Sequence, residues 1–214
     1  MYKTEQEEFW VGDFGDKYIE RNNSQEQFAS YLRFWSKIFK CRNNIKSVME
    51  FGANIGINIR AIKMLLSSAN LSAIEINKKA FKELIKLDLG GGGEAFNESI
   101  LNVKLSRTYD LVFTRGVLIH ISPDELENVY KRIYECTNCG GYIMIDEYFN
   151  PYPISIDYRG EKNKLFKRDF AGELMDKYRD LELMDYGFTY HRDGWHDDSN
   201  WFLMKKMDKQ QCPQ

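Results

Sequence analysis

The stretch from Ser47 to Asn58 combines an apolar run, a glutamate and two glycines, and this combination suits a turn that binds a ligand after a buried strand. The apolar residues on both sides of Glu50 fit a buried strand, and Gly52 and Gly56 would let a ligand approach the backbone where a Cβ atom would block it. Isoleucines then recur at helical spacing, at Ile55, Ile59 and Ile62. We expect a strand, a tight turn and the start of a helix, with room at the turn for a nucleotide-like ligand.

The spacing of the glycines narrows the class of ligand. A dinucleotide fingerprint needs G-x-G-x-x-G and a P-loop needs G-x-x-x-x-G-K-[ST], and the turn has neither pattern. Glu50 would repel a pyrophosphate but would attract a ligand that carries an ammonium or sulfonium charge. S-adenosylmethionine is such a ligand, and the order hydrophobic-hydrophobic-Glu-x-Gly-x-x-x-Gly resembles the first motif of class I methyltransferases.

A second carboxylate strengthens the prediction of a nucleotide site. The run from Leu71 to Asn77 reads as another strand, and Glu75 near its end lies about 20 residues beyond Gly56. Doubly wound folds place there the carboxylate that accepts hydrogen bonds from ribose hydroxyls. Glu50 and Glu75 together therefore favour a nucleotide-like ligand more than either residue alone.

Size and charge exclude several classes of protein. The chain has 214 residues, of which 30 are basic and 32 acidic, and its formal net charge is -2. This length suits one α/β domain, and the balanced charge argues against a nucleic-acid backbone or an anionic membrane as the main partner. Because the sequence has no signal-peptide pattern and no apolar run of membrane-spanning length, we expect a cytoplasmic protein.

The four cysteines give no sign of a disulfide framework or a metal site. Cys136-x-x-Cys139 is the only close pair, and the sequence has neither a second C-x-x-C nor an H-x-x-x-H to complete a zinc site. We expect reduced thiols at a helix end and no bound metal.

Aromatic residues crowd the segment 4–40. From Ser24, a suitable N-cap, apolar residues recur at intervals of three and four and predict a helix. The preceding residues 9–22 place two glycines among large aromatics. They read either as a segment folded over something or as an aromatic helix packed on the domain.

Five alternations of predicted strand and helix follow, which favours a parallel sheet with right-handed crossovers. In such a sheet, ligands bind at the carboxyl ends of the strands. Polar residues occupy the five predicted strand ends: Glu50, Glu75, Ser99, Thr114 and Glu147.

Other segments are predicted from local signals. The run from Ser122 to Glu125 reads as a capping box that begins a helix ending near Gly140. Four consecutive glycines at 90–93 read as a flexible connector, and residues 149–167, which contain two prolines, read as a loop. A helix from about Asp169 and a closing antiparallel hairpin complete the chain.

This order of elements resembles the class I S-adenosylmethionine-dependent methyltransferase fold over residues 46–206. The resemblance implies an α/β, Rossmann-like fold with a mostly parallel seven-stranded sheet, an antiparallel last strand, helices on both faces and an N-terminal helical lid. We expect one domain over residues 1–206, with the lid in 1–45 and the core in 46–206, and a frayed tail in 207–214.

A narrower resemblance extends over nearly the whole chain. Six segments in order are similar to the methyltransferases associated with pseudaminic acid biosynthesis: residues 9–22 (FW-x-G-x-FGD-x-YI-x-RN), 51–56 (FGANIG), 115–121 (RGVLIHI), 158–160 (YRG), 165–173 (LFKRDFAGE) and 190–193 (YHRD). The resemblance implies S-adenosylmethionine as cofactor, with S-adenosylhomocysteine as its product, and a small-molecule acceptor from a nonulosonic-acid sugar pathway.

The resemblance also implies which residues bind the cofactor. Gly52, Asn54 and Gly56 would line its methionine part, with Glu50 near the ammonium and Glu75 on the ribose. The remaining implied contacts are Ile76, Ser99 and Ile100 beside the adenine, Thr114 and Arg115 below the sulfonium, and Tyr18 and Arg21 in the lid.

The acceptor side is predicted from residue chemistry. An acceptor hydroxyl or amine must lose a proton, and the candidate bases are His191, His120 and Glu147. Arginine forks and aromatic faces recognise a sugar acid, and the candidates are Tyr148, Tyr158, Arg159, Arg168, Arg192 and Trp195. Singly, each of them also reads as a surface charge or a packed aromatic.

We therefore expect O- or N-methylation of a nonulosonic-acid-type sugar or its nucleotide-linked form. Two other readings stay open. One is a methyltransferase that acts on tRNA, on protein or on another small carboxylate metabolite, and the other is a non-catalytic cofactor-binding or assembly subunit. The oligomeric state is not predicted.

Overall fold

The computed structural model describes residues 2–21, 24–40, 42, 44–192 and 197–208. The chain divides into two compact units. The N-terminal unit consists of Met1–Lys104 and Arg192–Trp195, and the C-terminal unit consists of Leu105–His191 and His196–Gln214. Most of the tail expected to fray, residues 209–214, lies outside the described residues.

The N-terminal unit begins with three helices, α1 (Glu5–Val11), α2 (Asp13–Arg21) and α3 (Gln25–Ile38). The predicted cap of α3 is confirmed, because the Ser24 side chain accepts a hydrogen bond of 3.1 Å from the Gln27 backbone N–H. The aromatic residues 9–22 lie on α1 and α2, where their rings pack on one another.

Strands and helices then alternate as predicted. The elements are β1 (Ser47–Phe51), α4 (Ile57–Leu65), β2 (Asn70–Ile74), α5 (Lys78–Leu84) and β3 (Ala95–Phe96). Pairing is parallel between β1 and β2 and between β2 and β3. In both β1 and β2 the last four residues are buried, which accounts for their mostly apolar composition.

The four glycines at 90–93 are not a flexible connector. A Cβ atom on Gly93 would lie 2.2 Å from the Leu89 carbonyl oxygen and 2.3 Å from that of Leu71. The Leu71 N–H donates to the Leu89 carbonyl at 2.8 Å. The glycines therefore let this segment lie directly against β2.

The C-terminal unit contains six strands and two helices within its described residues. They are β4 (Tyr109–Arg115), α6 (Leu126–Glu135), β5 (Thr137–Glu147), β6 (Ile154–Tyr158), β7 (Glu161–Lys167), α7 (Phe170–Lys177), β8 (Leu181–Thr189) and β9 (Ser199–Lys206). Strand β4 pairs with β5 in parallel, and β9 is antiparallel to both β5 and β8. The predicted Rossmann-like α/β fold with a mostly parallel, seven-stranded sheet is confirmed. Among the described residues, the N-terminal unit contributes three strands of this sheet and the C-terminal unit four, and the last strand, β9, is antiparallel.

The predicted capping box at Ser122 is wrong. Residues Pro123–Glu125 form a short 3-10 turn, and the Ser122 side chain makes no capping hydrogen bond. The Glu125 carboxylate instead accepts from the Asn128 side-chain amide at 2.8 Å. Helix α6 also ends at Glu135, earlier than predicted, because β5 begins two residues later.

The segment 149–167 is not a loop, since β6 and β7 pair as an antiparallel hairpin. Arg159 and Gly160 connect the strands with φ angles of 53° and 88°. Two successive positive φ angles are typical of the tight turns that close hairpins. The prolines precede β6, and the charges of β7 hide the alternation that would predict a strand.

A buried polar network fixes the end of β1 to the helices that follow. The Asn58 side chain accepts from the Trp35 indole N–H at 2.9 Å and donates to the Glu50 carboxylate at 2.6 Å. Trp35 is fully buried and Glu50 is 1% exposed. One amide therefore joins α3, α4 and β1.

We predict that Asn58→Leu lowers the free energy of unfolding by about 2–4 kcal/mol, because it removes a partner from a buried carboxylate and from a buried indole. Chemical denaturation measures the change. The control is Asn102→Leu at an exposed asparagine, expected to change stability by less than about 0.5 kcal/mol. Equal stability of the two variants would contradict the role of Asn58.

Candidate functional site

The turn between β1 and α4 has an unusual backbone. Gly52, Asn54 and Gly56 have φ angles of 78°, 50° and 78°, all in the left-handed region. The N–H groups of Gly52 and Ala53 both donate to the Ile74 carbonyl at 2.9 Å. The turn is therefore held against the end of β2.

The structure corrects the reason for one glycine. A Cβ atom on Gly56 would lie 2.5 Å from a methyl carbon of Leu87 and 2.7 Å from one of Leu84. Packing of α4 against these leucines, together with the positive φ angle, excludes other residues at this position. Room for a ligand is not the reason.

Glu75 joins this turn to the loop before α5. Its carboxylate accepts two hydrogen bonds of 2.6 Å, from the backbone N–H groups of Asn54 and Asn77. The residue is 7% exposed, and burial raises the pKa of its carboxyl to about 7 although both hydrogen bonds lower it. A carboxylate oxygen accepts more than one hydrogen bond, so this group can also receive ribose hydroxyls.

Glu50 lies deeper than a ligand contact requires. Its carboxylate is almost completely buried and accepts from Asn58, as described above. In this geometry Glu50 supports the turn from the interior of the N-terminal unit. A contact between Glu50 and the ammonium of a ligand stays a prediction.

The predicted adenine border contains a contact that the sequence did not reveal. The Ser99 hydroxyl donates to the Glu7 carboxylate of α1 and accepts from the Leu101 N–H at 3.0 Å. Ile76 and Ile100 are half-buried. Glu7 also closes a capping box with Thr4 at the start of α1. The T-x-x-E pattern in the sequence signals this cap, but it does not signal the contact with Ser99.

The lid candidates lie on α2. The Arg21 guanidinium lies over the rings of Phe14 and Tyr18, at 5.3 and 5.7 Å from their centroids. Tyr18 in turn meets Trp10 edge-to-face at 5.2 Å. Both candidates belong to one aromatic cluster in the N-terminal unit.

Two cofactor candidates belong to the C-terminal unit. Thr114 is fully buried near the end of β4. The Arg115 guanidinium forms a buried ion pair with Asp146 at 2.7 Å, and Asp146 also accepts from the Ser199 hydroxyl at 2.7 Å. Arg115 therefore joins β4 to β5.

Glu147 organises the turn that contains His120. Its carboxylate accepts from the backbone N–H groups of Val117, Leu118 and Ile119 at 3.0, 3.1 and 3.3 Å. The residue is 2% exposed, and burial raises its pKa to about 7. This geometry favours a positioning role for Glu147 over that of a base.

His120 is held as a neutral imidazole. Its Nδ1 lies 2.6 Å from the Lys164 carbonyl oxygen, which can only accept, so Nδ1 carries the proton. Burial lowers its pKa to about 4, and its ring centroid lies 4.8 Å from that of Tyr158. His120 and Tyr158, predicted separately, are thus brought together by the β6–β7 hairpin.

His191 is the most accessible of the candidate bases. Its Nδ1 and its backbone N–H both lie 2.9 Å from an Asp198 oxygen, and the ring is 49% exposed. These hydrogen bonds lower the pKa of Asp198. A histidine oriented by a carboxylate is a recurring arrangement for a general base.

The residues predicted to bind the methyl acceptor have different surroundings. The Tyr148 hydroxyl donates to Asp197 at 2.6 Å, and the Arg159 guanidinium lies 5.8 Å from the Tyr158 centroid. Arg192 is exposed and belongs to the N-terminal unit. Trp195 lies outside the described residues.

Arg168 is the acceptor candidate with the most informative surroundings. One of its terminal nitrogens lies 3.4 Å from the Glu173 carboxylate, which also accepts from the Tyr130 hydroxyl at 2.8 Å. The Arg168 Nε–H is buried and has no acceptor among the described residues. A buried donor without an acceptor is costly, so the Arg168 Nε–H suits an anionic ligand.

Every helix in the described residues is too short or too polar to cross a bilayer.

Comparison with known proteins places the chain in a family. The family model described as "Tellurite resistance protein TehB" matches residues 43–196. A search of curated proteins found no match.

Several solved structures with a similar fold are methyltransferases. Three of them are magnesium protoporphyrin IX methyltransferase from Synechocystis with bound S-adenosylmethionine (TM-score 0.69, 11% identity, 96% of this chain and 99% of that chain), 1,6-didemethyltoxoflavin-N1-methyltransferase from Burkholderia thailandensis with S-adenosylhomocysteine (0.68, 15%, 95% and 87%), and the N-methyltransferase NodS from Bradyrhizobium japonicum (0.64, 12%, 90% and 99%). At such identities the likeness shows the fold. This chain has the fold of the class I S-adenosylmethionine-dependent methyltransferases and belongs to the family described as tellurite resistance protein TehB.

Proposed function

We propose that this protein methylates a small anionic molecule with S-adenosylmethionine as cofactor. The observation that carries the proposal is the buried Glu75 carboxylate, which the left-handed turn of Asn54 holds at the end of β2. Doubly wound folds use a carboxylate at this place for ribose hydroxyls. The fold of the family supports the same cofactor.

The residues of the N-terminal unit fit this cofactor. Glu75 would accept the ribose hydroxyls, and the turn of Gly52 and Asn54 would lie beside the methionine part. Bound S-adenosylmethionine supplies an electrophilic methyl group on a sulfonium. Helices α1 and α2, with Tyr18 and Arg21, would act as a lid that excludes water, since methyl transfer needs an aligned and closed site.

For the acceptor we propose a carboxylate-bearing sugar of the nonulosonic-acid type or its nucleotide-linked form. The buried Arg168 Nε–H supports an anionic group on the methyl acceptor, because an oxyanion would accept a hydrogen bond from this donor. The resemblance of the segment 165–173 to the pseudaminic-acid-associated methyltransferases supports the sugar acid. We keep a cytoplasmic location as part of this proposal.

His191 is our proposed base for the acceptor proton. Its ring is accessible, and Asp198 orients it through Nδ1. His120 is a weaker base, because burial lowers its pKa to about 4.

A second acceptor follows from the family description, which names tellurite resistance. Tellurite is also an oxyanion, so the Arg168 donor would serve it equally well. An acceptor panel therefore contains nonulosonic acids, their nucleotide-linked forms, tellurite and tRNA. Methylation of tRNA alone would support a tRNA methyltransferase instead. Cofactor binding without methylation of any acceptor would support a non-catalytic subunit.

We predict that the affinity for S-adenosylhomocysteine falls about tenfold between about pH 8 and about pH 6. The carboxyl of Glu75 has a pKa raised from 4.5 to about 7, so the ionised form that accepts ribose hydroxyls is present above pH 7 and lost below it. Calorimetric titration at several pH values measures the change.

Glu75→Gln should bind weakly and show no such pH dependence. Glu83→Gln, at an exposed glutamate of α5 that forms an ion pair with Lys86 at 2.7 Å, is the matched control and should bind like the wild type. Wild-type protein that does not bind S-adenosylhomocysteine would overturn the proposal.

We also predict that Arg168→Lys lowers kcat/KM for the true acceptor by about 10–100-fold, because lysine keeps the charge but lacks the Nε–H fork. Mass spectrometry of the methylated product from the acceptor panel measures the rate. Arg179→Lys, at an exposed arginine beside Asp176, is the control and should leave the rate unchanged. A full rate in Arg168→Lys would place the acceptor anion elsewhere.

A further inference from the structure

Asn77 uses every hydrogen-bonding group of its side chain. Its Oδ1 accepts from the backbone N–H groups of Lys79 and Ala80 at 2.8 and 3.0 Å and so caps α5. Its Nδ2 donates to the Asp16 carboxylate at 3.0 Å and to the Trp10 carbonyl at 3.2 Å. The residue is 3% exposed, and nothing in the cofactor prediction included it.

The same residue also holds the proposed ribose ligand. Its backbone N–H donates to the Glu75 carboxylate at 2.6 Å. Asn77 thus contacts Glu75 through its main chain and the N-terminal helices through its side chain. Both contacts lie within the N-terminal unit.

The contact with the helices is close and reinforced by charge. A Cβ atom on Gly15 would lie 1.9 Å from the Trp10 carbonyl oxygen and 3.0 Å from the Asn77 Nδ2, so only glycine allows the approach. Asp16 also forms an ion pair with Lys79. Hydrogen bonds from Lys79 and Asn77 lower the pKa of Asp16, which keeps it charged as an acceptor.

The contact reaches the lid candidates within a few residues. The ring of Trp10 packs edge-to-face on Tyr18 at 5.2 Å, and Arg21 lies over the Tyr18 ring at 5.7 Å. A shift of the Trp10 carbonyl away from Asn77 would therefore move the side chains expected to cover the cofactor.

We propose that Asn77 is a positioning residue for cofactor binding, because it ties the carboxylate of Glu75 to the helix pair that carries Tyr18 and Arg21. This inference rests on the proposed function. It adds a residue outside the predicted site, and it predicts that cofactor affinity depends on the amide donors of Asn77.

The test is Asn77→Asp, which separates the two roles of the side chain. Aspartate is as good an N-cap as asparagine, so α5 stays capped. The variant loses both N–H donors and places a second carboxylate beside Asp16. Calorimetry should show binding of S-adenosylhomocysteine weakened about tenfold, as expected for the loss of two hydrogen bonds.

A reversed pair provides the rescue. In Asn77→Asp combined with Asp16→Asn, the amide of residue 16 can donate to the carboxylate of residue 77, so binding should recover in part. Asn138→Asp is the matched control, because the Asn138 amide donates to Asp110 at 2.8 Å in the C-terminal unit. It creates the same carboxylate pair away from Asn77 and should bind like the wild type.

The role of Asn77 would be overturned if Asn77→Asp bound S-adenosylhomocysteine like the wild type, or if Asp16→Asn did not restore the affinity that Asn77→Asp had lost. Either result would leave cofactor binding by the wild-type protein intact. A wild-type protein that does not bind S-adenosylhomocysteine would instead overturn the proposed function, and this inference with it.

Discussion

Burial of carboxylates at strand ends is the constraint on which the rest of this structure depends. A buried carboxylate must be hydrogen-bonded, and three of those here accept from a loop or helix that follows a strand. Glu50 accepts from Asn58, Glu75 accepts from Asn54 and Asn77, and Glu147 accepts from three successive backbone N–H groups. The acids therefore fix the loops in place as well as supplying polar groups to a site.

The three buried glutamates differ in how accessible they are, and this separates their roles. Glu75 is buried but, at 7% exposed, more accessible than the other two, and it holds the left-handed turn, so it can both build the site and accept from a ligand. Glu50 and Glu147 are more deeply buried and act on what surrounds them. In the C-terminal unit, we propose that Arg168 donates to an anionic acceptor and that the His191–Asp198 pair provides the base.

Much of the fold followed from local patterns. Apolar runs located β1, β2, β4 and β5, and the Ser24 cap located α3, because these signals lie within one element. The β6–β7 hairpin was missed because its charged residues lack a clear alternation, and its closing turn uses Arg159 at a positive φ angle, where glycine or asparagine is usual. The Ser122 capping box failed because the Glu125 N–H donates to the Ser122 backbone carbonyl at 2.9 Å and not to the Ser122 hydroxyl.

The site was predictable only in part, for a physical reason. The motif at Glu50 to Gly56 and the spacing of Glu75 are short-range signals. The contacts of Asn77 with Asp16 and of Ser99 with Glu7 join residues 61 and 92 positions apart, so only the folded chain reveals them. The reason for Gly56 was also hidden, since it depends on how Leu84 and Leu87 pack.

We propose above all that Glu75 and the turn of Asn54 bind the nucleoside part of S-adenosylmethionine. The most direct measurement is a crystal structure of the protein with S-adenosylhomocysteine. We expect both ribose hydroxyls within hydrogen-bonding distance of the Glu75 carboxylate, with the methionine part beside Gly52. A nucleoside bound away from Glu75, so that only Asn54 and Asn77 contacted the Glu75 carboxylate, would contradict this binding mode.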